Sequence, residues 1–522
     1  MPSLFSRFSM DLRVRGDDEG SRIPFKMKNI MFKPVIRTTL ALAIAAALGA
    51  CATVGTDFKA PANVDGAAYR HAGAVAQTGA QSSDTARLPA AWWTVFDDAT
   101  LAQLEERALG ANPNVRAAAQ RLVQAQAQLG VTRAGQLPSV GVSAGISNSR
   151  TSAETSQGLA LGHRAIAGNN YSIGANFSWE LDLWGRVRRI VEASDAQALA
   201  AQDDRDGVLL MLSSQVATSY WQLRGLDAEI AILVNALATR RESQELIEAR
   251  FNAGLSNELD VARARIERAN AEADLHEVQR QRNNLEHALA VLVGASPSQA
   301  LLPAAAEAAA LPLPPSIPVG LPASLLGQRP DLASSVATLK AFNAQVGVAE
   351  GAFYPSVSLT GNFGFASESL SDIGKGSARQ FSAGPLALSL PIFDAGRNRA
   401  NLKLAQARYD EAVANHEGRL LTALREVEDA LSDVQQRQQQ GDVQSQAQQA
   451  AARALLVAQA RYDRGVSTYL DVTDAQRSTL QADRAAAQIR TQRLVAAVSV
   501  ARALGGGWSQ GAPEATIAQA AR

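Results

Sequence analysis

Few residues in this 522-residue chain could do chemistry. Gly141-Val142-Ser143-Ala144-Gly145 spells the G-x-S-x-G pattern of a hydrolase nucleophile. That chemistry needs the serine on a sharp turn between strand and helix, beside a base that takes its proton. Here the pentapeptide lies inside a run of alternating apolar and small residues, which reads as the interior of a strand. The five histidines are scattered. His276 and His287 share one helix face but stand about 16 Å apart along it, too far to bind one metal ion. No G-x-x-x-x-G-K-[ST] loop offers a cradle for nucleotide phosphates. The single cysteine, Cys51, excludes an internal disulfide and a multi-cysteine metal site. The sequence thus implies no catalytic residue, no metal and no cofactor.

Cys51 itself has an informative neighbourhood. Lys33 and Arg37 precede the apolar run TTLALAIAAALGA, which stops at Cys51. A positive start, a short apolar stretch and small residues make a secretory signal, and the run is too short to span a bilayer comfortably. Leu48-Gly49-Ala50-Cys51 resembles a bacterial lipobox. That resemblance implies cleavage before Cys51 and a covalent lipid such as palmitate on its thiol. Ala52 in the next position, rather than Asp, implies sorting to the outer membrane. The charged residues 1–26 fit no signal peptide, so translation is expected to start at Met27 or Met31.

The 50 basic and 50 acidic residues cancel, which excludes the basic excess of a nucleic-acid binder. Ala, Gln and Leu dominate long stretches and aromatics make up only 5%, a composition suited to long helices.

Two segments betray a duplication. Arg250–Val261 reads RFNAGLSNELDV and Arg461–Val472 reads RYDRGVSTYLDV, with six of twelve positions identical. The likeness extends upstream. NPNVRAAAQRLVQAQAQLGVTRAGQLPSV from Asn112 parallels RPDLASSVATLKAFNAQVGVAEGAFYPSV from Arg329, and LDLWGR parallels IFDAGR. A proline-rich stretch, LPLPPSIPVGLP, joins the copies and cannot be helix interior. The reading by domains is a signal and extension (1–50), an N-terminal segment (51–94), a first repeat (95–310), a linker (311–327), a second repeat (328–508) and a flexible tail (509–522).

Each repeat carries two strands with clean period-2 alternation. Strands are expected near 137–149, 171–183, 354–366 and 381–393. Val140, Val142, Ala144 and Ile146 share one face, while Ser139, Gly141, Ser143 and Gly145 share the other. A sheet facing bulk water would carry longer charged residues; an apolar face backed by Ser, Gly and Asn suits a barrel wall with lipid outside and water inside. Four strands cannot close a barrel, and an open edge in lipid leaves backbone groups unpaired. Two or three copies must therefore pool their strands, giving eight or twelve.

The helices that position the repeated segments are long. Gly185 to Asn252 and Arg397 to Asp463 run unbroken for roughly 100 Å each. Leu212, Val216, Ser219, Leu223, Leu226, Ile230, Leu233 and Leu237 step by four and three, a coiled-coil seam, and Leu420 to Val434 repeat it. Helices of about 38 residues after each repeated segment and about 22 before each Pro-Ser-Val complete the reading. The repeated segments are then hairpin tips. Gly254 and Gly465 supply the left-handed residue that ends the long helix, and Ser256 and Ser467 are expected to cap the next.

With strands, duplication and tips together, the chain resembles the outer-membrane factor family, the TolC-like outer membrane efflux proteins, and within it the lipoprotein branch. WWTVFDDATLAQLEERALGANPNV, FSWELDLWGR, LSLPIFDAGR, ALREVEDAL, RYDRGVSTYLDVTDAQ and ALGGGW carry the resemblance, which runs from about Pro89 to Trp508. It implies an α+β membrane protein: a homotrimeric, 12-stranded transmembrane β-barrel, four strands per chain, continuous with a periplasmic α-helical coiled-coil barrel. It also implies a role as passive outer-membrane exit duct of a tripartite pump for small molecules such as drugs. The partners would be a periplasmic adaptor (membrane fusion protein) and an inner-membrane transporter of the resistance-nodulation-division type. Family gate positions fall on Leu470, Asp474 and Tyr462. The ridges at the tips make Arg250, Asn252, Arg461 and Asp463 candidates for adaptor contact. Protein secretion or metal-ion efflux would use the same duct, and a lipid-anchored scaffold without a pore is the reading from another class.

Overall fold

The computed structural model describes residues 53–61, 69–71, 88–302, 311–317 and 327–508. Cys51, the expected signal before it and the 509–522 tail lie outside the described residues. A 3-10 turn at Trp92–Phe96 leads into α1 (Ala99–Ala111), α2 (Pro113–Ala134), β1 (Ser139–Arg150), the short α3 (Ser156–Ala160), β2 (Ala167–Leu181), α4 (Arg186–Asn252) and α5 (Glu258–Leu292). The second repeat follows as α6 (Pro330–Gly351), β3 (Ser356–Ser367), β4 (Arg379–Ser389), α7 (Arg397–Asp463) and α8 (Tyr469–Ala503). Both long helices have 67 residues, as the sequence indicates, and both post-tip helices have 35, slightly fewer than expected.

The strands form one antiparallel sheet in the order β1-β2-β3-β4. Register aligns chemistry across it. Val142, Ala175, Phe363 and Phe381 make a continuous apolar row. The next row is Gly141, Asn176, Asn362 and Ser382, small and polar throughout. Val142, Phe363 and Phe381 are 78%, 52% and 78% exposed in the single chain, so the apolar face has no protein cover. β4 stops at Ser389, short of the expected 393, because Pro391 has no N–H to continue the ladder. Leu390 and Ile392 therefore lie beyond the strand. β2 begins four residues earlier than expected, at Ala167.

Both long helices start in the same way. Each leaves a left-handed glycine, Gly185 or Gly396, which has no side chain to cap with. An aspartate upstream supplies the cap. The Asp182 carboxylate accepts from the amides of Val187 and Arg188 at 2.9 and 2.8 Å, and that of Asp394 from Gly396 and Asn398, both at 2.9 Å. A carboxylate there also opposes the positive end of the helix dipole.

The seam residues of α4 pack as their spacing requires. Leu212, Val216, Leu223, Ile230, Leu233 and Leu237 are buried, and Leu226 is half-buried. The main core lies midway along the helices, where Trp92, Trp93 and Phe96 meet Trp221, Leu431 and Leu494. α6 lies between α4 and α7, while α2 lies along α4 and leaves Val123 and Val131 exposed. By the duplication, the missing neighbour of α2 is an α7 from another chain. The linker is not loose where described: residues 311–317 are irregular, but Leu311 and Ile317 are buried in the main core.

Each repeat closes on itself at this level. Asn112 Nδ2 donates to Leu292 O at 2.8 Å, and Arg329 Nη1 donates to Ala503 O at 3.1 Å. The post-tip helix thus abuts the start of the pre-strand helix, and the stacked pair runs roughly 85 Å beside the long helix. Gly505, at φ 87°, is pressed so close to Gln328 O that a Cβ would stand 1.7 Å away, whereas Gly254 at the tip has open space around it. Gly254→Ala should therefore cost only the left-handed strain, about 1–2 kcal/mol. Gly505→Ala should cost that and a backbone collision, and lower the melting temperature of the assembled protein further than Gly254→Ala does; differential scanning calorimetry checks the order.

Candidate functional site at the hairpin tips

The repeated segments are hairpin tips. Gly254 and Gly465 adopt φ 73° and 72°. Leu255 N donates to Arg250 O at 2.8 Å and Val466 N to Arg461 O at 3.0 Å, the six-to-one bond that closes a helix through a left-handed residue. The caps of the returning helices are not Ser256 and Ser467. Asn257 caps α5, its Oδ1 accepting from Asp260 N at 2.9 Å. Thr468 caps α8 in a capping box, with Asp471 Oδ2 accepting from Thr468 N at 3.0 Å. The reason is reach: the capping oxygen must meet the amide three residues on, which places the cap one residue later than the serines. Ser467 Oγ is buried without a partner, and Ser256 Oγ lies 3.4 Å from Asp260.

The two tips of one chain are joined. Tyr469 is buried with Ile247, Val261, Ala264 and Val472, a cluster drawn from α4, α5 and α8. Burial pushes its phenol up to about 12, with Tyr462 and Glu267 adding to the shift. Tyr462, half-buried at the end of α7, packs on Tyr469 with ring centroids 5.8 Å apart. The Arg250 guanidinium from α4 stands 4.9 Å over the Tyr462 ring, a cation–π contact between the hairpins. Arg250 is therefore engaged within its own chain. Among the other adaptor candidates, Arg461 and Asn252 are exposed, and Asp463 accepts from Gln459 at 3.0 Å.

Above this cluster α8 is tied to the first hairpin by charge. Arg477 Nε donates to Glu267 Oε1 at 2.7 Å, and Glu267, 5% exposed, also meets Arg240 at 3.3 Å. One heptad on, Arg484 bridges Glu229 at 2.7 Å and Asp274 at 3.0 Å. Asp474 is joined to this ladder by Arg477, 3.7 Å away, but stays 61% exposed. Leu470, one turn away on the same face, is 39% exposed. The structure thus groups Tyr462 with Arg250 and Tyr469, and leaves Leu470 and Asp474 facing out of the chain. Its own duplicate differs at this position: Arg263 stands where Asp474 stands, and pairs locally with Asp260 at 3.7 Å.

Sequence reasoning missed the ion ladder and the exposed apolar residues of the tips, Phe251, Leu255 and Leu259 on the first and Val466 on the second. The seven-residue spacing of Arg477 and Arg484 is a heptad signal that could have found the ladder. Ser143 sits inside β1, with Asn176 Nδ2 3.3 Å from its Oγ and Gly174 opposite, so it has no nucleophile elbow around it.

Long hairpins under a lipid-facing sheet with two open edges match one family. The outer membrane efflux protein model fits residues 104–295 and 321–506. The chain belongs to the outer membrane efflux protein family. It is 35% identical over 484 residues to the outer membrane protein OprJ of Pseudomonas aeruginosa, covering 92% of this chain and 98% of that one. It is 33% identical over 422 residues to the cation efflux system protein CusC of Escherichia coli, covering 81% and 89%. The solved outer-membrane channel OprN superposes with a TM-score of 0.79 at 34% identity, over 88% of this chain and all of that one. Other relatives are named for antibiotic, solvent or toluene efflux.

As an outer membrane efflux protein the chain forms a trimeric channel in the outer membrane, the exit duct of a tripartite efflux system with adaptor and inner-membrane partners. Three chains resolve the choice between two and three copies, and at four strands each they supply twelve. Strands alternate in direction, so β4 of one chain meets β1 of the next antiparallel.

The ladder carries a prediction. Arg477 is 55% exposed, so its pair with Glu267 stabilises the tip contact by at most about 1 kcal/mol. Arg477→Ala should raise the open fraction of channels in planar bilayers by up to about fivefold, with trimer yield unchanged.

Proposed function

We propose that the periplasmic end of the duct is closed by Leu470 and Asp474 from three chains, and that Tyr462 locks it by holding the two hairpins of each chain together. The observation that carries this reading is the outward exposure of Leu470 and Asp474 on a helix whose other faces are packed or ion-paired. Three symmetry-related carboxylates in a narrow bore repel one another and favour cations, and a leucine ring one turn away resists wetting. Opening the tip requires Tyr462 to leave Tyr469 and Arg250, and an adaptor docking on the tips supplies the driving contact. The exposed Phe251, Leu255 and Val466 offer it apolar anchors beside Arg461, Asn252 and Asp463.

The transporter in this reading is of the resistance-nodulation-division type and the cargo is small molecules such as drugs. Relatives named for antibiotic and solvent efflux support the cargo class. The likeness to a cation efflux protein supports metal ions as the second reading. A lipid on Cys51 completes the proposal.

Asp474→Ala should loosen the closed tip: single-channel conductance rises and cells lacking their own duct become permeable to large antibiotics. Unchanged conductance together with unchanged antibiotic entry would remove Asp474 from the gate. Susceptibility of a deletion strain to drugs against metal salts separates the two cargo readings.

A further inference from the structure

Among the described residues, the side chain of Arg493 on α8 has no hydrogen-bond or ion-pair partner. In the register that sets Arg461 on Arg250, its counterpart is Arg282 of α5. Arg282 is held on both sides: its Nε donates to the Asp227 carboxylate of α4 at 2.8 Å, and its Nη1 pairs with Glu286 at 2.5 Å. The second copy keeps the arginine and drops both acids, with Gln438 in the place of Asp227 and Ala497 in the place of Glu286. Arg490, one turn before Arg493, is likewise without a partner among the described residues, and stands where the first copy has Gln279.

The packing around these arginines is opened in the same way. Ile230, Leu233, Leu237 and Leu275 of the first copy form a buried apolar cluster. Their counterparts are Gly441, Gln444, Gln448 and Ala486. All four line a cavity of about 430 Å³ that also takes in Arg490 and Arg493. Gly441 leaves room beside the guanidinium, since a Cβ there would stand 3.3 Å from Arg493 Nη1. A second cavity, of about 280 Å³, adjoins it on Arg493 and is walled by Gln438, Ala497 and the linker from Pro314 to Ile317. The floor of the larger cavity is aliphatic, with Ile232, Leu311 and Ile489. Asp483 also lines it but is taken, because Gln448 Nε2 donates to its carboxylate at 2.7 Å. α8 runs between α7 and α4 of the same chain, so one protomer supplies these walls. The size lies in the range of small-molecule sites, roughly 300–1,000 Å³. Unpaired guanidinium groups beside an aliphatic wall match an anion that carries an apolar body.

We propose that this cavity binds an amphipathic organic anion, its carboxylate, sulfonate or phosphate head on Arg493 and Arg490 and its apolar body against Ile232, Leu311 and Ile489. The head takes on Arg493 the place that the Asp227 carboxylate takes on Arg282. A bound anion thus braces α8 against α7 at the level where α5 is braced against α4 in the first hairpin. Arg490 lies about 30 Å along α8 from Leu470, so the site is separate from the gate and does not rest on it.

Fluorescence titration of the full-length trimer in lipid nanodiscs, with empty nanodiscs subtracted, tests the site. The probes are anilinonaphthalene sulfonate and the neutral phenylnaphthylamine, which has the same body without the sulfonate. The sulfonate should bind the wild type saturably. Arg493→Ala should weaken it about tenfold or more, the worth of a charge-assisted hydrogen bond. Gln438→Asp should do the same by giving Arg493 an acid of its own; it keeps the arginine and reads out even if Arg493→Ala assembles poorly. The neutral probe should bind all three proteins alike. Absence of saturable sulfonate binding to the wild type, or equal sulfonate binding by all three, overturns the site. Equal loss of both probes in the variants overturns recognition of the anionic head.

Discussion

Every backbone N–H and C=O of a strand in hydrocarbon must find a partner, because no water is there to take its place. One chain of this protein cannot meet that condition. Its sheet pairs β1 to β2, β2 to β3 and β3 to β4, and ends with β1 and β4 each open along one edge. The apolar row that runs through Val142, Ala175, Phe363 and Phe381 needs lipid, and the Gly141, Asn176, Asn362, Ser382 row needs water. Both demands and both edges are satisfied only when several sheets close around a bore. The trimer is thus a consequence of the strand chemistry, and the helices inherit its symmetry. α2 and the exposed side of α7 wait for neighbours from other chains just as the strand edges do.

Duplication lets one set of structural devices serve twice. An aspartate before a left-handed glycine launches each long helix, and a left-handed glycine ends each one at the tip. Each repeat is closed by a hydrogen bond from the residue before a proline to the end of its post-tip helix. The copies also part. Asp474 against Arg263 and Arg189 against Ala400 are both departures from the pseudo-symmetry. The first places a carboxylate on an exposed face near the tip, and the second puts a buried guanidinium against the backbone carbonyls of Val54 and Gly55.

Periodic features were legible in the sequence. Strand alternation, the four-three seam and unbroken helix-forming composition are local, so Arg186–Asn252 and Arg397–Asp463 emerge with their bounds nearly as expected. Gly254 and Gly465 were legible because few other residues fit a left-handed turn. The caps were misplaced by one residue because Ser, Asn and Thr all cap well and only the geometry decides which of them meets the third amide. The ion ladder, the Tyr469 cluster and the contacts of residues 53–57 were hidden for a different reason. Arg477 and Glu267, or Arg189 and Val54, lie 210 and 135 residues apart, and no local pattern announces a contact of that range. The end of β4 at Ser389 is written in Pro391, which has no N–H to continue the ladder.

The most direct test of the account is native mass spectrometry of the detergent-purified protein, followed by conductance of the same sample in planar bilayers. The account predicts a mass of three chains that passes ions. A well-folded lone chain that neither assembles nor conducts would contradict it.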